Sequence, residues 1–362
     1  MQKTNKRSAA HSLFCIGISV FLLGVTRLNT YIAKNYKDRF FSVYTDFSKK
    51  AVGFFARLTS FTPFDLWEII ALLLIVLTAV NFIRKFKRRQ AALRRAQALL
   101  CVCSLVFIFV NVWGLNYYAP SMASRLGLTE CQYTPSQLCE MTVYFRDKAS
   151  EFADKIQRDE NGLAAADFEK MSFQAGDCFE KLAKEYPVFD GSTDRVKKLI
   201  TGKLFTMRGT TGIFVCITGE SNVSEYVFSR SMPLTMCHEI GHRMAFARED
   251  EANFAGYLAC EISDDVQFVY SGYYHAFIWC FNALYKVNPE AATEIIQNRG
   301  DSLKFDIVSS SEHYNRIENK KAVEISDGIY EKYLQSFDVN EGMQSYGMVV
   351  DLLAMYYFQR LK

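Results

Sequence analysis

The stretch His238-Glu239-Ile240-Gly241-His242, entered through Ser231-Met232-Pro233-Leu234-Thr235-Met236-Cys237, decides the reading of this chain. On an α-helix, residues four apart lie on one face, so the two imidazoles stand one turn apart and can grip a single zinc ion. Glu239 then sits where a carboxylate can take a proton from a water beside that ion. The chain has only five histidines, and two of them complete the pattern, which makes an accidental match rare. Pro233 suits a first helical turn, where its missing N–H costs nothing, so a helix is expected from about Pro233 to about Ala247. Upstream, residues 212–220 read as a short apolar strand closed by a turn.

A zinc site open for catalysis takes three protein ligands and leaves the fourth position to water. The run Arg248-Glu249-Asp250-Glu251-Ala252-Asn253-Phe254 reads as the start of a second helix with an acidic first turn, and its three carboxylates compete for the third place. Glu249 and Asn253 are four apart and share a face. Their arrangement resembles the Glu-x-x-x-Asp element of the gluzincin metallopeptidases, with Asn253 in place of the aspartate. It is closer still to the Glu-x-Glu-Ala-Asn run of some short zincin-like proteins. That resemblance implies Glu249 as the third ligand, Glu251 as runner-up, and Asn253 as a residue that orients a ligand. It also gives the upstream strand a use, as an edge to which a substrate backbone adds, although a buried core strand fits the same residues. Only six residues separate His242 from Glu249, and none is a glycine that would ease the reversal. Zincins also stabilise the developing oxyanion with a donor from elsewhere. Tyr346, in Gln344-Ser345-Tyr346-Gly347, is preferred for this role over His275.

The first third of the chain is apolar in a different way. Residues 10–28, 66–83 and 96–115 each offer about the 18–20 apolar residues that cross a bilayer as a helix. Between the second and third lie Arg84, Lys85, Lys87, Arg88, Arg89, Arg94 and Arg95. Positive charge stays in the cytoplasm, which puts the rest of the chain after about Asn116 outside. The first run lacks a small-x-small cleavage site and reads as an uncleaved anchor. Between the first two spans, Phe40, Tyr44, Phe47, Ala51, Phe54, Phe55 and Leu58 recur at helical spacing, as in a helix lying on the membrane surface with its lysines on lipid phosphates.

Charge divides the chain at the same place. Residues 1–116 carry 17 basic and 4 acidic side chains, a balance of +13, whereas the remainder is −10. An acidic domain on a basic anchor argues against nucleic acid as a partner. Seven of the ten cysteines fall in the soluble part, and no CxxC pair suggests a structural zinc cluster. Cys237 points to another helix face than His238 and is not a candidate ligand. From Thr134 onward the apolar spacing is mostly helical, and only residues 205–228 have β character.

The expected architecture is therefore mainly α: a membrane anchor over residues 1–116 and a zincin-like, gluzincin-type α+β metallopeptidase domain with a small sheet over 117–362. Trp113-Gly114-Leu115-Asn116-Tyr117-Tyr118, Thr218-Gly219-Glu220-Ser221-Asn222, His238–His242, Glu249–Phe254, and Ser345-Tyr346-Gly347 with Asp351 together resemble an uncharacterised family of bacterial membrane proteins, domain of unknown function 3810. The resemblance implies a multi-pass protein of the plasma membrane with an extracytoplasmic, metallopeptidase-like half, and it implies no substrate. The expected activity is zinc-dependent hydrolysis of a peptide or protein substrate, with His238, His242 and Glu249 on Zn2+, Glu239 as general base and Tyr346 as a catalytic donor. The alternative is a catalytically inactive zinc-binding or interaction protein on the same fold. An intramembrane protease is disfavoured, because Arg230, Arg243 and Arg248 flank the motif.

Overall fold

The computed structural model describes residues 2–84, 91–337 and 345–362, with side chains for 8–80, 91–337 and 348–362. The basic run Lys85–Arg89 and the side chain of Tyr346 lie outside the described residues.

The chain is mainly helical with one small sheet. It opens with α1 (Gln2–Asn35), α2 (Lys37–Thr59), α3 (Trp67–Arg84) and α4 (Ala91–Val112). After a 3-10 turn at Gly114–Tyr118 come α5 (Met122–Arg125), α6 (Pro135–Ala153) and α7 (Phe168–Glu185). The middle of the chain holds β1 (Lys197–Lys198), α8 (Gly202–Met207), β2 (Gly212–Val215), β3 (Glu220–Val223), α9 (Met232–Arg243) and α10 (Glu249–Glu261). Five more helices complete it: α11 (Val266–Val287), α12 (Pro289–Gln297), α13 (Asp301–Ile317), α14 (Lys320–Gln335) and α15 (Ser345–Tyr356).

Two helical stretches, Ser8–Asn35 and Ala91–Val112, are long and apolar enough to cross a bilayer. The apolar run of α3 is shorter over the described residues, Trp67–Val80. The expected bounds move. The first helix continues past Leu28 to Asn35, and the one expected to reach residue 115 stops at Val112 and tightens into the 3-10 turn. Asn111 near the end of α4 accepts from Asn29 Nδ2 at 2.7 Å and donates to Thr26 Oγ1 at 3.1 Å. Those contacts bring the C-terminal parts of α1 and α4 to one level, so the two helices run parallel.

The sheet has the order β1-β3-β2, with β1 parallel and β2 antiparallel to β3. The register pairs Ile213 with Asn222 and Phe214 with Ser221. The apolar strand β2 is thus an edge, while the buried central strand is the polar Glu220-Ser221-Asn222-Val223. Part of the expected β region is helical: α8 forms over Gly202–Met207 because Phe205 packs edge-on against Trp67, ring centroids 6.1 Å apart, and Thr206 bonds back to Gly202 O. β1 carries no apolar alternation. Lys197 is buried instead through an ion pair with Glu220 at 2.7 Å.

The main core gathers Phe145 from α6, Phe179 from α7, Met236 and Ile240 from α9, Phe254 from α10, and Phe268 and Phe277 from α11. Its side chains leave α9 and α10 close together, and a glycine sets how close. A Cβ at Gly256 would lie 3.2 Å from His238 N and 3.4 Å from Leu234 O, so a larger residue there moves α10 away from the histidine helix.

Candidate metal centre

α9 begins with Pro233 in its first turn and buries Met236, Cys237 and Ile240 in the core. That fixes its opposite face, which carries His238 and His242, their ring centroids 4.7 Å apart and nearly perpendicular. The helix ends at Arg243, short of the expected Ala247, and the short connection to Glu249 is made without glycine. Ala245 takes a left-handed conformation, φ 67°. Its N–H bonds to His242 O at 3.0 Å and the Phe246 N–H to Gly241 O at 3.2 Å, the paired bonds of a Schellman ending. A left-handed alanine carries about 1–2 kcal/mol of strain, close to what a buried methyl contributes, about 0.8 kcal/mol. Ala245→Gly should therefore leave stability nearly unchanged in urea denaturation. Ala245→Val should cost about 2 kcal/mol or more, since a β-branched residue at positive φ is strained.

The turn delivers Glu249 opposite both imidazoles. Its Oε2 lies 3.3 Å from His238 Nε2 and its Oε1 3.5 Å from His242 Nε2. One donor atom from each of the three residues falls within 4.8 Å of the others. Each histidine has its second ring nitrogen engaged: His238 Nδ1 with Asn253 Oδ1 at 2.9 Å, and His242 Nδ1 with Phe246 O at 2.8 Å. Both partners present an oxygen, so each Nδ1 carries a proton and each Nε2 is the nitrogen turned toward Glu249, where a metal ion would take the place of a proton. Two imidazoles and a carboxylate form a donor set that could hold a metal ion. Asn253→Ala removes the acceptor that holds His238, and zinc affinity should fall about 10–100-fold by dye competition.

The electrostatics favour a cation at the same point. Burial works to raise the Glu249 carboxyl, but His242 and His238 outweigh it and hold that group well below the usual carboxylate range. Burial also opposes charge on His242, and Glu249 overrides this, carrying the imidazole up to about 9. The field that draws a proton onto His242 draws any positive ion. Glu239 differs: it is 4 % exposed, its Oε2 has no hydrogen-bond partner among the described residues, and burial pushes it up to about 7 against the pull of both histidines. A Cβ at Gly212, the first residue of the edge strand, would lie 2.4 Å from Glu239 Oε1. Strand β2 therefore begins directly over the carboxylate, and Ser221 in β3 donates to Glu239 O at 2.8 Å.

The structure separates the two competing glutamates. Glu251 accepts from the Met122 N–H at 2.7 Å, capping α5 rather than joining the histidines. Tyr346 stands in the first turn of α15, its side chain outside the described residues. His275 has a buried Nε2 without a partner among the described residues, and burial, with Arg230 and His238 adding to it, holds it well below the usual imidazole range. Sequence reasoning missed Tyr330 of α14, whose hydroxyl donates to Glu249 Oε1. It also missed Trp113, whose Nε1 donates to His242 O at 2.9 Å while its ring meets that of Phe214 at 5.4 Å. Nothing in the local pattern marks Tyr330 among twenty tyrosines. Trp113 does stand in a quoted family stretch, without a hint of its partner.

No curated protein and no solved structure is significantly similar to this chain. A family model described as a protein of unknown function, DUF3810, matches residues 44–354, a span that includes the three facing residues, Glu239 and the sheet. The chain belongs to that family.

Proposed function

We propose that this protein is a membrane-anchored, zinc-dependent metalloendopeptidase of zincin-like, gluzincin-type fold. The observation that carries the reading is the convergence of His238, His242 and Glu249 beside a buried, unpartnered Glu239 carboxylate oxygen at the start of an edge strand. Bound zinc would supply an acidified water and polarise the scissile carbonyl. His238, His242 and Glu249 would hold the ion, and Asn253 and the Phe246 carbonyl fix the imidazoles that would face it. Glu239 takes the proton from the attacking water and returns it to the leaving amine. The free edge of β2 accepts the substrate backbone as an added strand and sets the scissile bond over Glu239. Tyr346 remains the proposed oxyanion donor.

The anchor reading is part of the same proposal: α1, α3 and α4 span the plasma membrane, and the domain faces outward. The parallel ends of α1 and α4 support it, as does Glu220, whose carboxylate accepts the Leu66 and Trp67 N–H groups at 2.9 and 3.0 Å. In this proposal the ends of the three helices that approach the domain lie on its side of the membrane, and Arg94 and Arg95 at the start of α4 lie on the cytoplasmic side.

The test uses the full chain in detergent, loaded with one zinc equivalent and incubated with a pool of unstructured peptides. New amino termini should appear, vanish with a zinc chelator and return on adding zinc. A zinc-loaded protein that cuts nothing in the pool overturns the enzyme reading.

A further inference from the structure

The histidine helix stands one side chain away from the end of a membrane-length helix. α4 ends at Val112, and the next residue, Trp113, donates to His242 O and packs at a tilt against the ring of the edge-strand residue Phe214. Val52 of α2, Cys216 at the end of the edge strand and Ala247 of the turn after α9 join Trp113 in one buried cluster. No spacer separates the candidate metal centre from the end of α4, because Trp113 touches both the histidine helix and the edge strand.

The domain is also shaped to rest on that bilayer. α2 buries Ser48, Lys49, Val52 and Ala56 on one side. It exposes Val43, Phe47, Phe54 and Leu58 on another, a stripe at helical spacing with Lys50 and Arg57 beside it. The β2–β3 turn is pressed onto α2: a Cβ at Gly219 would lie 2.2 Å from Val52 O, and Thr59 Oγ1 donates to Thr218 O. The exposed apolar surface continues from Leu58 through Phe61, 77 % exposed, and Phe64 to Ile200 and Leu204, 62 % exposed. It runs on into the exposed leucines and isoleucines of α3. Phe64 bridges to Lys198, and Trp67 meets Phe205, so these residues belong to one face. A large exposed apolar patch continuous with a membrane helix and edged by Lys50, Arg57 and Lys203 has the chemistry of a lipid interface.

We propose that this face lies in the bilayer interface, and that the site accordingly acts on juxtamembrane segments of other membrane-anchored polypeptides in preference to freely diffusing ones. The substrate half of this inference rests on the peptidase reading above; the lipid contact does not.

Two measurements on the full chain separate the parts. A photo-crosslinking phenylalanine analogue at Leu204, with Tyr285 on α11 as the exposed control, is irradiated in phosphatidylethanolamine–phosphatidylglycerol vesicles. Lipid adducts should form at 204 and not at 285; their absence at 204 overturns the lipid face. The same vesicles then carry a single-span reporter whose cleavable segment, taken from a peptide the protein cuts in detergent, stands either about 5 or about 40 residues from the membrane. The near site should be cut at least about tenfold faster, because confinement raises its local concentration at the site only where the reach matches. Equal rates at both positions overturn the juxtamembrane substrate while leaving the peptidase reading intact. Cleavage of no peptide in detergent removes the peptidase reading, and the substrate class with it, while the crosslink still decides the lipid face.

Discussion

Glu239→Gln should reduce peptide hydrolysis by about 10²–10⁴-fold, the usual contribution of a positioned general base, with zinc content unchanged. Glutamine has the shape of glutamate and still fits beneath Gly212, where no side chain competes for the space. It keeps the backbone carbonyl that Ser221 holds, so the helix and its two histidines stay in place. What it lacks is a group that can take a proton from water and return it. The substitution also removes a buried, unpartnered ionisable group, so the thermal midpoint should stay or rise. Metal analysis, a melt and a cleavage assay on the same preparation check all three. Full hydrolysis in the zinc-loaded variant would eliminate Glu239 as the base. A wild type that binds zinc, cuts nothing and keeps every cellular phenotype as Glu239→Gln would instead favour the inactive zinc-binding alternative.

The sequence made α9 and α10 legible because each carries a local signature: the proline-led start and the i, i+4 histidines for one, the acidic first turn and apolar run for the other. The helices from α11 to α14 were visible in the helical apolar spacing that runs on from Thr134. What stayed hidden depends on contacts distant in sequence. Lys197 reads as a surface lysine until Glu220, 23 residues on, buries it. Glu220 reads as a turn residue until it caps α3 from 154 residues away. Tyr330 reaches Glu249 across 81 residues, and Trp113 reaches His242 across 129. The glycine-free turn was legible as a problem but not as its solution, since a left-handed alanine has no sequence signal and persists only where surrounding bonds enforce it.

Glu249→Ala and Glu251→Ala should fail in opposite ways, and the contrast tests the site more sharply than either variant alone. Four-ligand zinc sites bind with about 10–16 kcal/mol, so each ligand contributes roughly 3 kcal/mol and its loss should weaken zinc binding by about 100-fold or more. Glu249 faces both Nε2 atoms, and its removal leaves two imidazoles without the carboxylate whose field gathers positive charge between them. The fold should survive, because the side chain is anchored by Tyr330 and the histidines rather than by the core. Glu251 lies only two residues on, but the helical turn sends it to another face, where it accepts from the Met122 N–H among buried surroundings. Its loss strands that donor, at a cost of about 1–3 kcal/mol, and leaves the histidines untouched. Glu251→Ala should thus melt earlier yet bind zinc with wild-type affinity. Glu251→Gln, which keeps an acceptor for Met122, should recover most of the stability and covers the case in which the alanine variant does not fold. Wild-type affinity in Glu249→Ala, or loss of zinc from a folded Glu251→Gln, would move the third ligand away from Glu249 and with it the geometry on which Glu239 and the edge strand depend.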